Sequence, residues 1–210
     1  MESKNYFAIV SHYESCLDRH GDTHLGVDWP KKEDAATRYQ VMLELIKPEP
    51  RIRQVRLLDF GCGASHLYEY IQKTRRDEIA YVGLDLSEKF VTLSRSKFPE
   101  NQYYCVDILD EGVSIPRFDY ILLNGVFTEK RGLSFEEMFS YFTRLLREVF
   151  AYAEIGLAFN VMSKHVDWER DDLFHLPFDT LAAFLKKELT RNFVIRNDYG
   201  LYEYTTYVYR

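Results

Sequence analysis

Residues Asp59 to Gly63 combine side-chain types that suit a nucleotide-like ligand. The apolar run Val55-Arg56-Leu57-Leu58 before them is typical of a buried strand, and two glycines then favour a sharp turn into a helix. Glycine leaves the backbone open to a ligand, and the start of a helix offers unpaired N–H groups. Asp59 adds a carboxylate at the strand end, where open α/β sheets bind their ligands. We therefore expect a cofactor site at this turn.

The turn departs from two common nucleotide motifs. A dinucleotide fingerprint requires glycine or alanine where this chain has His66, and a P-loop requires Gly-Lys followed by Ser or Thr. An acid beside the turn also repels pyrophosphate, whereas it suits a ligand that carries a positive charge. The segment Leu57-Leu58-Asp59-Phe60-Gly61-Cys62-Gly63 resembles motif I of the class I S-adenosylmethionine-dependent methyltransferases. The resemblance implies that the methionine portion of this cofactor is held by Asp59, Gly61, Cys62 and Gly63.

Later segments follow in the order of the same family. Asp85 ends a short apolar run 26 residues after Asp59, near the spacing at which a carboxylate meets the two ribose hydroxyls. Residues 103–108 resemble the third strand of the family, whose acid receives the adenine amino group. Residues 117–127 resemble its fourth strand and the loop that faces the methyl acceptor. The likeness thus adds the expected cofactor contacts Asp85, Leu86, Asp107, Ile108 and Asn124.

The pattern of segments predicts an α/β fold. From residue 55 onward apolar runs alternate with helical segments, which favours a mostly parallel, seven-stranded sheet flanked by helices. The clearest helix is 134–153, because Ser134 and Glu137 form a capping box before an apolar stripe. The last two predicted strands, 193–196 and 201–209, are joined by a short turn and indicate an antiparallel C-terminal hairpin. Such a reversed last strand also matches the methyltransferase fold.

The N-terminal region is predicted to be a helical cap over this sheet. We expect a cap or lid at residues 1–50, with helices at 3–19 and 31–46, and a methyltransferase domain at residues 51–210. Arg38 resembles in position an arginine that grips the methionine carboxylate in ubiquinone-type O-methyltransferases, and Trp29 upstream strengthens the likeness. A guanidinium suits a carboxylate, although a solvated helix arginine is the alternative. The polar loop 20–30 is expected to be a lid or a plain connection.

A second insertion, residues 162–175, follows the fifth predicted strand on the acceptor side. His165 and His175 are candidate general bases because histidine exchanges protons near neutral pH, and Asp167 or Asp171 could orient one of them. The alternative is an exposed acidic loop without a chemical role. Catechol-type O-methyltransferases place metal-binding acids where this chain has Asn124 and Asn160, so we expect no metal. The Asn-Pro-Pro-Tyr signature of amino-methylating enzymes is likewise replaced, by Asn124-Gly125-Val126-Phe127.

Composition and charge restrict the binding partners and the cell compartment that we expect for this protein. The formal net charge of −6 disfavours a nucleic-acid partner, and no apolar run approaches the ~18 residues of a membrane span. Three widely spaced cysteines favour a reducing cytoplasm without a disulfide framework or zinc site. We expect a cytoplasmic monomer or homodimer, without a membrane partner.

The combined expectation is an enzyme that transfers a methyl group from S-adenosyl-L-methionine to a small molecule, leaving S-adenosyl-L-homocysteine. The favoured acceptor is a hydroxyl, on a sugar or secondary metabolite, since the chain loosely resembles bacterial small-molecule and sugar methyltransferases. Transfer is expected by in-line displacement at the sulfonium methyl. The alternatives are an RNA or protein methyltransferase and a non-catalytic S-adenosylmethionine-binding partner subunit.

Overall fold

Seven strands form one sheet in the computed structural model, which describes residues 4–48 and 53–210. The strands are β1 (Val55–Phe60), β2 (Ile79–Asp85), β3 (Gln102–Cys105), β4 (Phe118–Leu123), β5 (Ala153–Met162), β6 (Phe193–Arg196) and β7 (Glu203–Tyr209). Their order in the sheet is β3-β2-β1-β4-β5-β7-β6. The first five strands in this order are parallel, and β7 runs antiparallel to both β5 and β6. The predicted α/β fold with a C-terminal hairpin is therefore confirmed.

Six helices flank the sheet in the described part of the chain. They are α1 (Phe7–His20), α2 (Lys32–Leu43), α3 (His66–Lys73), α4 (Glu88–Lys97), α5 (Phe135–Tyr152) and α6 (Phe178–Glu188). The capping box is present, since the Glu137 amide donates to Ser134 Oγ and the Ser134 amide donates to the Glu137 carboxylate. None of these helices combines the length and apolar character needed to cross a bilayer.

The core lies on both faces of the sheet. All six residues of β4 are buried, as expected for a central parallel strand covered on both sides. In β1, Leu57 and Leu58 point to opposite faces because successive strand residues alternate. Leu57 belongs to a cluster shared with α2 and α3, and Leu58 to a cluster shared with α5 and α6.

The two N-terminal helices pack on this core. Met42 and Leu43 of α2 are fully buried in the same cluster as Leu57, while Ile9 of α1 joins the opposite cluster. α1 crosses the edge of the sheet where β1, β2 and β4 end. The predicted boundary between a cap and a methyltransferase domain, at residues 50 and 51, lies outside the described residues.

Candidate functional site

A cavity opens at the carboxyl ends of β1, β2 and β4, beneath α1. The space within its walls, with the open mouth included, is about 980 Å³. Of the ten residues predicted to contact the cofactor, seven line this cavity: Asp59, Gly61, Cys62, Gly63, Asp85, Leu86 and Asn124. Sequence motifs that are far apart in the chain thus meet at one edge of the sheet.

The glycine turn after β1 forms the floor of the cavity. Gly61 has φ +74° and Gly63 has φ +50°, in the left-handed region that favours glycine. A Cβ on Gly61 would lie 2.7 Å from Cγ2 of Val126. The Gly61 and Cys62 amides both donate to the Leu84 carbonyl, at 2.7 and 3.0 Å, and so tie the turn to β2. Glycine at position 61 is therefore required by backbone conformation and by space.

Asp85 joins this turn to the next helix. One carboxylate oxygen accepts from the Gly63 amide and the other from the Ser87 amide, each at 2.9 Å. Burial raises the pKa of Asp85, and these backbone donors oppose the shift. Ser87 in turn caps α4 by accepting from the Phe90 amide. The carboxylate is thus fixed from both sides at the cavity wall.

Asp59 is a second buried acid in the cavity wall, with 3% of its surface exposed. The Tyr81 hydroxyl donates to its carboxylate at 2.8 Å. Burial raises the pKa of Asp59 to about 7, the neighbouring Asp85 adds to this rise, and the Tyr81 hydrogen bond opposes it. No lysine or arginine is among the described residues that line the cavity. This charge distribution suits a ligand with positive charge and repels a pyrophosphate.

Two buried polar atoms near the cavity have no hydrogen-bond partner. Asn124 Oδ1, in the turn after β4, is an acceptor, and Arg38 Nη1 is a cationic donor. Arg38 does not line the cavity, and its Nε donates to Glu203 at 2.9 Å. Its guanidinium lies 5.0 Å from the centre of the Trp29 ring, and Trp29 does line the cavity. Unsatisfied buried polar atoms are costly, so a ligand that carries both an ammonium and a carboxylate group would fit here.

Asp107, the acid predicted to meet the adenine amino group, is engaged by the start of α1. β3 ends at Cys105, so Asp107 lies in the following turn. Its carboxylate accepts from the Tyr6 hydroxyl at 2.6 Å and from Lys4 Nζ at 2.9 Å. Burial would raise the pKa of Asp107, but these hydrogen bonds together lower it. Neither Asp107 nor Ile108, which is buried in the core, lines the cavity; Tyr6 does.

Solved structures with this fold include two methyltransferases. Magnesium protoporphyrin IX methyltransferase from Synechocystis PCC 6803 with bound SAH is 17% identical, with a TM-score of 0.64 over 97% of this chain and 99% of that chain. The plantazolicin methyltransferase BpumL in complex with SAH is 15% identical, with a TM-score of 0.60 over 100% of this chain and 91% of that chain. At such identities the likeness shows a shared fold.

The family follows from the sequence comparisons. Residues 58–148 match the family model described as a methyltransferase domain. Rv1506c of Mycobacterium tuberculosis (strain ATCC 25618 / H37Rv), which is named as a methyltransferase, is 26% identical over 155 residues, or 71% of this chain and 90% of Rv1506c. Together with the fold, these matches support a class I S-adenosylmethionine-dependent methyltransferase. The matched residues carry the glycine turn, Asp85 and Asn124, and end inside α5.

A further part of the wall of the methyltransferase cavity comes from the N-terminal region. The sequence analysis singled out Trp29 there, whereas no motif found the other residues of this part: Tyr6, Ile9, Val10, Tyr13, Val27 and Tyr39. The signal for α1 was present, because positions 6, 9, 10 and 13 share one helix face. The Tyr13 hydroxyl donates to the Gly125 carbonyl at 3.4 Å. Burial raises the pKa of Tyr13, so its hydroxyl keeps its proton and acts as a donor.

The three predicted catalytic residues of the methyltransferase, His165, His175 and Asp167, do not line the cavity. His175 is buried, its Nδ1 lies 2.7 Å from the Ser163 carbonyl, and its Nε2 accepts from the Arg170 amide at 3.3 Å. Both ring nitrogens therefore hold the loop after β5 together. His165 and Asp167 are exposed, and the His165 ring stacks on a phenylalanine of α6 at 4.9 Å.

Two clusters among the described residues combine side chains that can ligate a metal ion. In each cluster these side chains already contact one another or a lysine. The clusters are His12, Cys16 and Asp28, and Asp22, His66 and Glu69. In the first, His12 Nε2 lies 2.6 Å from Asp28 Oδ2, a direct hydrogen bond. In the second, Lys97 Nζ lies 2.7 Å from both Asp22 and Glu69, so a cation is already present. The second cluster therefore needs no metal ion to balance its charges.

Proposed function

We propose that this methyltransferase transfers the methyl group of S-adenosylmethionine to a hydroxyl group of a small molecule. The observation that carries the cofactor assignment is the pair of unpartnered buried atoms, Arg38 Nη1 and Asn124 Oδ1, beside a cavity with two buried acids. An α-amino acid presents one carboxylate and one ammonium group. These charges complement the guanidinium on one side and the amide oxygen and acids on the other.

Each part of the cofactor has a proposed partner. Arg38 binds the methionine carboxylate, and Asn124 together with Asp59 binds the ammonium group. Asp85 accepts from the two ribose hydroxyls, because its carboxylate is held at the cavity wall by two backbone amides. Cys62, Gly61 and Gly63 contact the cofactor through the turn, and Leu86 packs against its adenosine.

The adenine end has an acceptor with spare capacity. Asp107 Oδ2 accepts from the Tyr6 hydroxyl and from Lys4 Nζ, whereas Oδ1 accepts from the Leu109 amide at 3.0 Å. A carboxylate oxygen accepts more than one hydrogen bond, so Oδ1 can also receive the adenine amino group, and Ile108 supports this turn from the core. Because Tyr6 lines the cavity and Asp107 does not, the Tyr6 side chain has to move aside as the cofactor enters.

The protein mainly has to align the acceptor. When bound, S-adenosylmethionine supplies a methyl group on a sulfonium sulfur that is already electrophilic. Tyr13, Trp29 and Val126 line the cavity together with the two acids, and these side chains exclude water from the reacting groups. The similar solved structures are named as methyltransferases of magnesium protoporphyrin IX and plantazolicin, which supports a small-molecule acceptor.

A hydroxyl acceptor also needs a group that removes its proton. We assign this task to His12, whose Nε2 is oriented by Asp28 at 2.6 Å. Neither His12 nor Asp28 lines the cavity, but the His12 ring packs against the Tyr13 ring with 5.6 Å between their centres, and Asp28 lies between Val27 and Trp29, so the pair adjoins the acceptor wall. His165, His175 and Asp167 lack such a connection to the cavity, because the loop that carries them folds back on itself.

Calorimetry tests the cofactor assignment. We expect the purified chain to bind one equivalent of S-adenosylhomocysteine and to show no heat with NADH or FAD. Asp85→Asn should lower the affinity for S-adenosylhomocysteine at least about tenfold, because a charge-assisted acceptor for the two ribose hydroxyls is lost. Uptake of a dinucleotide, or no uptake of S-adenosylhomocysteine by folded protein, would overturn the assignment.

Transfer from S-adenosylmethionine with a deuterated methyl group tests the acceptor. We expect label in hydroxyl-bearing small molecules, including sugars, and none in total RNA or in protein. His12→Asn should lower kcat at neutral pH by about 100-fold, with unchanged S-adenosylhomocysteine affinity. Label in RNA, or in amines alone, would contradict the hydroxyl assignment.

A further inference from the structure

Four residues form an unbroken chain of hydrogen bonds beside the cavity, and the two in the middle of this chain are buried. Glu203, the first residue of β7, is 3% exposed and accepts from Arg38 Nε at 2.9 Å and from Asn160 Nδ2 at 2.9 Å. Asn160 of β5 is fully buried, and its Oδ1 accepts from the Gly125 amide at 2.7 Å. One carboxylate thus connects α2 with the turn that follows β4.

This chain determines how Arg38 is presented. Glu203 accepts a hydrogen bond only from the Nε of the guanidinium, and the guanidinium Cζ lies 5.0 Å from the centre of the Trp29 ring. Nη1 is therefore left buried and without a partner. A guanidinium has fixed planar geometry, so anchoring one edge sets the direction of the other. Glu203 therefore determines where Arg38 can donate its remaining hydrogen bond.

The same chain holds the turn at residues 124–126, which carries the second unpartnered atom. The Gly125 amide is bound by Asn160, and Asn160 is held in turn by Glu203. Gly125 has φ +83°, and a Cβ built on it would lie 3.8 Å from Trp29 Nε1, so the turn and the Trp29 ring are neighbours. Asn124 Oδ1 is presented by a turn whose next amide is fixed through Glu203.

We propose that Glu203 is a positioning residue for the amino-acid end of the cofactor. It sets the Arg38 guanidinium directly and the Asn124 amide through Asn160, so that the carboxylate-binding and ammonium-binding groups keep a fixed separation. This inference rests on the proposed function, which assigns those two groups. Arg38, Asn160 and Glu203 all lie outside the matched residues 58–148.

Two ligands that differ only at the amino-acid end test this inference. S-adenosylhomocysteine carries the amino-acid portion, whereas 5′-methylthioadenosine has the same nucleoside and sulfur without it. Glu203→Gln keeps the side-chain shape and can still accept from Asn160, but it then turns an NH₂ group toward Arg38 Nε. We expect S-adenosylhomocysteine to bind at least about tenfold more weakly, while 5′-methylthioadenosine affinity changes by less than about twofold.

The control is Glu154→Gln, the same change at an exposed residue of β5, which should leave both affinities unchanged. Equal weakening of the two ligands by Glu203→Gln would show a general structural effect and overturn the proposal, as would unchanged S-adenosylhomocysteine affinity. If Glu203→Gln does not fold, Glu203→Asp carries the same comparison, because the shorter carboxylate cannot reach both partners. Failure of the parent protein to bind either ligand would instead overturn the proposed function, and this inference with it.

Discussion

At the scale of single residues, the cavity depends on a backbone conformation that glycine adopts at low cost. Gly61 and Gly112 both have positive φ, +74° and +79°, but only a Cβ on Gly61 meets a neighbour, Val126 Cγ2 at 2.7 Å. We expect Gly61→Ala and Gly112→Ala each to cost about 1–2 kcal/mol of unfolding free energy, measured by urea titration. Only Gly61→Ala should also lower the affinity for S-adenosylhomocysteine, by at least about tenfold, because Val126 must shift. Equal affinity in both variants would contradict this account of the turn.

The raised pKa of Asp59 predicts that the free energy of unfolding depends on pH. Its pKa is raised from 3.8 to about 7 mainly by burial, so between pH 4 and 7 the unfolded chain releases a proton that the folded chain keeps. The stability contribution is therefore complete below about pH 4 and is lost as the pH rises through 7, by on the order of 4 kcal/mol. Asp59→Asn removes this titration and still accepts from Tyr81. In the ligand-free protein we expect the melting temperature of the variant to rise relative to the parent from pH 4 to 8; a constant difference would refute this.

At the scale of elements, α1 is held over the cavity largely by polar contacts. Tyr6 donates to Asp107 at 2.6 Å, and Ser87 Oγ donates to Glu14 at 2.6 Å. Each such bond contributes about 1 kcal/mol, so Tyr6→Phe with Glu14→Ala, which removes the acceptor, should speed amide hydrogen exchange in α1 by about tenfold or more. Exchange in β1 and β4 should not change, and S-adenosylhomocysteine should dissociate faster.

The matched control for α1 is Lys73→Ala, which removes an exposed ion pair on α3 at 3.8 Å. It should leave exchange in α1 as in the parent. Faster exchange throughout the sheet in the Tyr6 and Glu14 variant would show that α1 is part of the cooperative core and does not move alone.

Some elements could be predicted from the sequence and others could not, and this difference has a physical cause. β1 and β4 were predictable because their apolar runs, glycines and end-of-strand polar residues lie within a few adjacent positions, and a parallel sheet brings strand ends together. The Arg38–Glu203 contact joins residues 165 positions apart and has no local signal. His165 and His175 were predicted from residue type and from the position of their loop after the fifth strand, whereas their orientation depends on how that loop folds.

At the scale of the whole molecule, the cofactor cavity uses almost the entire chain. Its wall begins with Tyr6, just before α1, and the network behind it ends with Glu203 on β7. β7 lies between β5 and β6 in the sheet, so the last of the described strands in chain order completes the interior of the sheet and not its edge. The matched residues 58–148 therefore contain the motifs but only part of the structure that positions them.

Removal of the last strand tests this interdependence. All seven residues of β7 are buried, and without them β5 loses an antiparallel partner along seven positions while β6 loses its only partner in the described sheet. We expect a chain truncated after Gly200 to lack a cooperative unfolding transition in urea and to bind no S-adenosylhomocysteine.

A change at the end of the same strand provides the control. Arg210 donates side-chain hydrogen bonds to the Ala153 and Phe150 carbonyls, at 2.6 and 2.7 Å, but leaves β7 in place when replaced. Arg210→Ala should lower the melting temperature by only about 2–4 °C, since roughly 1 kcal/mol shifts a chain of this size by that amount. S-adenosylhomocysteine affinity should be retained, because Glu203 still anchors Arg38. A truncated chain that unfolds cooperatively and binds S-adenosylhomocysteine would show that the cavity is organised without β7, and that the motif-bearing strands alone hold the cofactor groups in place.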